Sequence, residues 1–232
     1  MRDVIHVEHF TDRESTKGRG AHGWAIREGR YRKEMSERAR DDFDYASVEH
    51  DVRTRAALPA TIRAEIADLP RERWGTTPGY AGFPEHFLAV HEQLRGVSGG
   101  LVKRLESVAD AAPSERDALW RAARVTDVAR ALTDFAHHHH DLEEANLFPW
   151  LARARPEFER AMRLLDGDHR VLEETLARVE ASTVRDARGA PRGHDDRALG
   201  EALRAASDLS ALLARHLADE EEIAVPALLG VR

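Results

Sequence analysis

Four histidines, His91, His139, His169 and His216, fall on four separate apolar stripes of this 232-residue chain. Imidazole is the commonest side-chain ligand for transition ions, and a carboxylate is the usual companion that offsets the ion's charge. Two of the histidines have that companion at the same offset: Glu143 lies four residues after His139 and Glu220 four after His216. Each of these histidines also has a proline ten residues on, Pro149 and Pro226. Residues i and i+4 project from one helix face, so nitrogen and oxygen can converge on one ion. Two buried carboxylates are costly without cations, which points to two metals rather than one. The chain has no cysteine. Thiolate sites, cysteine-held iron–sulfur clusters, disulfides and a cysteine nucleophile are thereby excluded. Nitrogen and oxygen donors suit iron or manganese better than structural zinc.

Positioning these groups falls to helices. Ala, Leu, Arg and Glu are abundant and aromatics few, which favours an all-α fold. The spacing predicts a first long helix from about Pro84 to Ala109, with Leu88, His91, Leu94, Leu101, Leu105 and Val108 on one stripe. A second runs from about Ser114 to Ala152 with the seam Val125, Val128, Leu132, Phe135, His139 and Leu142. A third starts near Pro156 and carries Met162, Leu165, His169, Leu172, Leu176 and Val179. After a loop over 186–194, a fourth begins near Asp195 and carries Leu203, Ala206, Leu209, Leu213, His216, Glu220 and Ile223, until Pro226 ends or kinks it. Short connections favour an up-down-up-down four-helix bundle. Alternating directions place His139, His169 and His216 roughly 20 Å deep from one end, with His91 shallower at about 10 Å, so all four can meet.

Residues 1–80 read as an N-terminal arm, partly helical or disordered, preceding a bundle over 81–232. The arm carries 15 basic and 15 acidic residues and is only loosely patterned. A short helix is expected between Leu58 and Pro70 and another over Asp42–Ala57. Trp24, Tyr31, Tyr45, Trp74 and Tyr80 are expected to anchor the arm on the helices. The net charge of −7 gives nucleic acid no global attraction, and no apolar run approaches the roughly 18 residues that span a bilayer. A cytoplasmic protein with neither nucleic-acid nor membrane partners is expected. There is also no Gly-rich phosphate loop, nucleophile elbow or catalytic triad.

A lone His, a His-x-x-x-Glu, a second lone His and a second His-x-x-x-Glu over four helices together resemble the hemerythrin-like, or HHE cation-binding, family. The resembling stretches are His91–Arg95, His139–Glu144 continuing to Leu147-Phe148-Pro149, Asp168–Leu172, and His216–Glu221 continuing to Pro226. The resemblance covers about residues 80–230. It implies a four-helix bundle with a non-haem di-iron centre, two bridging carboxylates and an oxo or hydroxo group. Carried onto this sequence, the implied ligands are His91, His139, Glu143, His169, His216 and Glu220, with both glutamates as bridges. Oxygen-carrying members have a second histidine one turn after the third-helix ligand, where this chain has Glu173. Four His and two Glu leave about four protein ligands per iron and open positions at both. That combination favours reaction with a small oxidant (dioxygen, hydrogen peroxide or nitric oxide) over oxygen carriage. A dry pocket shaped by Leu132, Phe135, Leu165, Leu209 and Leu213 would exclude large substrates. The other reading is a non-catalytic iron or oxygen sensor signalling to a protein partner through the arm.

Some positions stay open. His140 and Glu144 repeat the spacing of His139 and Glu143, but the His139 pair keeps the apolar seam and matches the proline offset of the fourth helix, so it is preferred. Glu173 is either a seventh ligand or an orienting group, and Glu221 is a reserve bridge. Glu144, Asp219, Glu221 and Glu222 otherwise read as a solvated face, His137 and His138 as exposed, and Asp168 as a cap or a partner of Arg170.

Overall fold

The computed structural model describes residues 43–66, 68–183 and 195–230. Among these residues the structure is all-helical. Two single turns, α1 (Ala60–Arg63) and α2 (Arg71–Trp74), precede the long α3 (Phe83–Ala109). Then come α4 (Arg116–Ala122), α5 (Val125–Leu142), a π-helical turn (Glu143–Leu147), α6 (Phe148–Ala154), a 3₁₀ turn (Pro156–Phe158), α7 (Glu159–Thr183) and α8 (Asp196–Leu228). The expected loop over 186–194 lies outside the described residues.

Local chemistry sets the boundaries. Gly82 precedes α3 at φ 146°, a conformation that side chains rarely allow, and Pro84 follows in the first turn, where its missing N–H costs nothing. Asp195 caps α8 by accepting from the amides of Arg197 (2.9 Å) and Ala198 (3.3 Å). Pro226 lies inside α8, which continues two residues past it to Leu228.

The expected second helix over 114–152 is instead broken twice. Arg124 adopts φ 52°, and the turn is held by Trp120 Nε1 donating to Thr126 Oγ1 and Thr126 Oγ1 donating to the carbonyl of Thr183. The second break is the π turn. Pro149 has no N–H for the carbonyl of Ala145 and would crowd it, and the widened turn immediately precedes that proline.

α3 packs against α5 and α8, and α7 packs against the same two helices. Contacts pair the start of one with the end of the next: His91 meets Glu221 while Ser98 meets Ser210 further along, and Asp168 meets His216 while Arg178 reaches Asp208. The buried side chains form two apolar clusters. One holds Leu94, Leu101, Leu132, Leu172, Leu176, Leu209 and Leu213. The other holds Phe87, Leu147, Phe148, Leu165 and Ile223. On α3, α5 and α7 the candidate histidines fall between the two clusters, and on α8 His216 lies at the end of the first cluster, with Glu220 between it and Ile223 of the second.

The described residues of 43–82 pack along these helices. Leu58, Ile62 and Trp74 are buried in the second cluster and Val52 in the first, with Tyr45 and Tyr80 partly buried against the core. Trp24 and Tyr31 lie outside the described residues. The helix expected over Asp42–Ala57 is absent from 43–57, which runs through successive turns. Asp44 and Asp51 accept from the amides two residues on, Ala46 (3.0 Å) and Arg53 (2.9 Å), and such local bonds compete with helix. Among the described residues between Leu58 and Pro70 only α1 is helical.

Candidate metal centre

The site is built where α3, α5, α7 and α8 present polar atoms between the two apolar clusters. Two groups could each hold an ion: His91, His139, Glu143 and Glu220 in one, and His140, His169 and His216 in the other. Within each group the ligand atoms lie within 4.8 Å of one another. The carboxylates face both groups. Glu143 Oε1 is 2.8 Å from His139 Nε2 and 3.8 Å from His91 Nε2, while its Oε2 is 3.5 Å from His169 Nε2. Glu220 Oε2 lies 3.5 Å from His91 Nε2 and 3.7 Å from His216 Nε2.

A direct test of fit is whether these atoms have other partners. Among the described residues, ten buried side-chain polar atoms have no hydrogen-bond partner, and nine of them are the five Nε2 atoms and four carboxylate oxygens of this cluster. Each unpartnered buried polar atom costs roughly 1–3 kcal/mol, so their concentration at one place calls for a cation. Five imidazoles and two carboxylates without a thiolate form a donor set suited to first-row transition ions.

The outward nitrogens explain the inward ones. His91 Nδ1 donates to Glu221 (3.0 Å), His140 Nδ1 to Glu173 (3.2 Å), His169 Nδ1 to Glu144 (3.1 Å) and His216 Nδ1 to Asp168 (3.2 Å). A proton held on Nδ1 by a carboxylate leaves the Nε2 lone pair facing the cluster. Glu144, Glu173 and Glu221 therefore sit behind histidines.

The structure corrects several assignments of the acidic run. Asp219 and Glu221 are fully buried rather than solvated, because arginines meet them: Arg55 and Arg215 at Asp219, Arg71 and Arg95 at Glu221. Asp168 pairs with Arg55, whereas Arg170 pairs with Asp166. Glu222 remains at the surface with Arg63. His138 is exposed, and the half-exposed His137 Nε2 lies 3.0 Å from Glu173.

His139 and His140 both enter the cluster. Consecutive helical residues point about 100° apart. α5 lies between α3 and α7, so His139 faces His91 (ring centroids 4.9 Å) while His140 stacks on His169 (4.2 Å). Phe87 packs on His91 (4.1 Å) and Phe148 on His169 (5.3 Å), putting an apolar ring against each group.

The two bridging-type carboxylates behave unlike each other. Burial and the adjacent Glu143 carboxylate push Glu220 well above the usual range. Burial would also raise Glu143, but His139, His169 and His91 outweigh it and hold it well below. His169 is opposed by burial yet pushed up to about 9 by Glu143 and Glu144. Burial and the neighbouring His169 push His140 down to about 3. Burial takes His216 to about 4, with His169 adding to the fall and Asp168 opposing it. At neutral pH His140 and His216 thus offer free lone pairs, and protons on Glu220 and His169 occupy places that a cation would take.

These features define a helical protein with a buried nitrogen and oxygen centre for cations. The Hemerythrin HHE cation binding domain matches residues 83–228, and the chain belongs to that family. Comparison with curated proteins and with solved structures gave no match.

Proposed function

We propose that this chain holds two iron ions and binds or reduces a small oxidant there: dioxygen, hydrogen peroxide or nitric oxide. Manganese is the other metal its donors suit. In this reading residues 81–232 form an up-down-up-down bundle and residues 1–80 an extension of it. His91 and His139 hold one ion, His140, His169 and His216 the other, and Glu143 and Glu220 span both. The observation that carries the reading is the two-sidedness of Glu143, whose Oε1 faces His91 and His139 and whose Oε2 faces His169, all without hydrogen-bond partners.

A bound iron pair supplies electrons to, and a binding position for, a small oxidant. The chain's own groups do the rest. Glu221, Glu173, Glu144 and Asp168 fix the tautomers of four histidines. Phe87 and Phe148 keep water off the outer faces of His91 and His169. Glu173, about half exposed, joins His140 Nδ1 to His137 and so connects the interior to solvent for the protons that oxidant reduction consumes. No helix among the described residues is long and apolar enough to cross a membrane, and the proposed location is the cytoplasm.

The test is a visible and near-ultraviolet spectrum of the iron-loaded chain before and after peroxide, with peroxide consumption counted. Repeated consumption per chain supports the oxidoreductase reading. A second reading, an iron or oxygen sensor signalling through the N-terminal segment to a protein partner, is favoured by Arg55 and Arg71, which join that segment to the carboxylates behind His216 and His91. A single stoichiometric spectral change without turnover selects it, and no spectral response at all contradicts both.

A further inference from the structure

Two arginines that precede the matched family domain reach the back of the centre. Arg55 is buried together with both of its acidic partners: its side chain is 1% exposed and those of Asp168 and Asp219 are 0%. Its Nη1 donates to Asp168 Oδ1 (2.7 Å), its Nη2 to Asp168 Oδ2, and its Nε to Asp219 Oδ2 (2.8 Å). A fourth bond, from Nη1 to the carbonyl of His50 (2.6 Å), ties the guanidinium to its own segment. Asp168 in turn accepts from His216 Nδ1. The second chain is parallel in logic: Arg71 donates to Glu221, which also accepts from His91 Nδ1 and from Arg95 (2.7 Å). His216 belongs to the three-histidine group and His91 to the other.

The docking of this segment is specific. Tyr45 donates its hydroxyl to Asp168 Oδ1 (2.8 Å), and its ring lies against Gly167, where a Cβ would come within 2.2 Å of it. Glycine at the position before Asp168 is what lets the segment approach the helix that carries His169.

We infer that residues 43–82 are part of the metal centre, with Arg55 and Arg71 as positioning residues that act through Asp168 and Glu221 to aim His216 and His91. The inference rests on the two-metal reading above. Arg55 fixes Asp168 with a two-pronged fork, and the carboxylate so fixed leaves His216 one orientation. A lysine at position 55 keeps the charge but cannot hold Asp168 at both oxygens and Asp219 at once. Arg71 has a weaker grip, because Arg95 shares Glu221 and the Arg71 side chain is 53% exposed.

The test uses Co(II) as probe, titrated into the full chain against a competing chelator while the visible Co(II) bands are followed. The wild type is expected to take two ions. Arg55→Lys is expected to keep wild-type helicity, to hold one ion as tightly as before, and to bind the other about 10- to 100-fold more weakly with an altered band. Arg71→Gln is expected to weaken the other ion by a smaller factor. An Arg55→Lys chain that melts earlier yet binds both ions with wild-type affinity and spectrum overturns the inference, since a purely structural ion pair behaves that way. A wild type that takes up no Co(II) overturns the two-metal reading itself. Should Arg55→Lys fail to fold, reciprocity decides on the wild type: a ligand positioned by the segment must stabilise the segment when loaded. Amide exchange over residues 50–57 is then expected to slow at least about tenfold on Co(II) loading, and unchanged exchange there overturns the inference.

Discussion

The two ligand groups share two carboxylates but are supported differently. Behind the three-histidine group lies a dry ion pair, Arg55 with Asp168 and Asp219, all essentially unexposed. Behind His91 lies Glu221, equally buried, but its arginines Arg71 and Arg95 reach solvent. Ion pairs with an exposed member are screened and held loosely, whereas a buried pair is rigid and severe to break. The same orienting device, a carboxylate on an imidazole Nδ1, is therefore firm on one side of the centre and more yielding on the other.

The largest effect is expected where the difference vanishes. Glu143→Ala removes the carboxylate that faces both groups and should abolish binding of both ions, read as metal per chain after anaerobic Fe(II) loading; Glu220→Ala should do nearly as much. Next come the adjacent histidines, which should separate the groups. His139→Ala and His140→Ala are each expected to lose one ion, with different residual Co(II) spectra, and identical spectra would show that one of the two is not a ligand.

The support itself is tested by Asp168→Ala against Glu221→Ala. The first takes from the buried Arg55 the carboxylate it holds at both oxygens, leaving it Asp219 alone, and should cost about 3–5 kcal/mol in denaturant unfolding. The second leaves arginines that can turn to water, so its ion-pair loss should stay under about 1 kcal/mol; the imidazole Nδ1 left without its acceptor, His91 here and His216 in the first, adds a similar cost to both. Equal costs would erase the proposed contrast. The smallest signal is a proton count. His169, pushed up to about 9, is protonated at pH 7 when no cation is present, and a ligand must be neutral, so loading should release its proton. Above about pH 9 that proton is already gone and the release should fall, as measured by titration calorimetry in buffers of different ionisation enthalpy.

Much of the centre was legible in the sequence for one physical reason: helical periodicity converts spacing into shared direction. His91, His139, Glu143, His169, His216 and Glu220 stand out because each interrupts an apolar stripe at the i, i+3 or i+4 rhythm. His140 was legible only as a rival to His139, since a single stripe per helix leaves room for one of them; α5 faces two neighbours and uses both. The acids Asp219 and Glu221 read as solvated, and Asp168 as a cap or a partner of Arg170, because nothing local marks the arginines that bury them, and Arg55 lies 113 and 164 residues from its two partners. Their one available signal was position: each directly adjoins a candidate ligand in the sequence. The break at Arg124 carries neither glycine nor proline, so composition could not reveal it, whereas Pro149 was an available signal for the π turn that the unbroken helix expected over 114–152 passed over.

The most direct test of a two-ion centre divided between these groups is anomalous diffraction at the iron edge from crystals of the Fe-loaded chain. The account predicts two peaks, one among His91, His139, Glu143 and Glu220, the other among His140, His169 and His216, with Glu143 and Glu220 between them. A single peak, or a peak away from these residues, would contradict it.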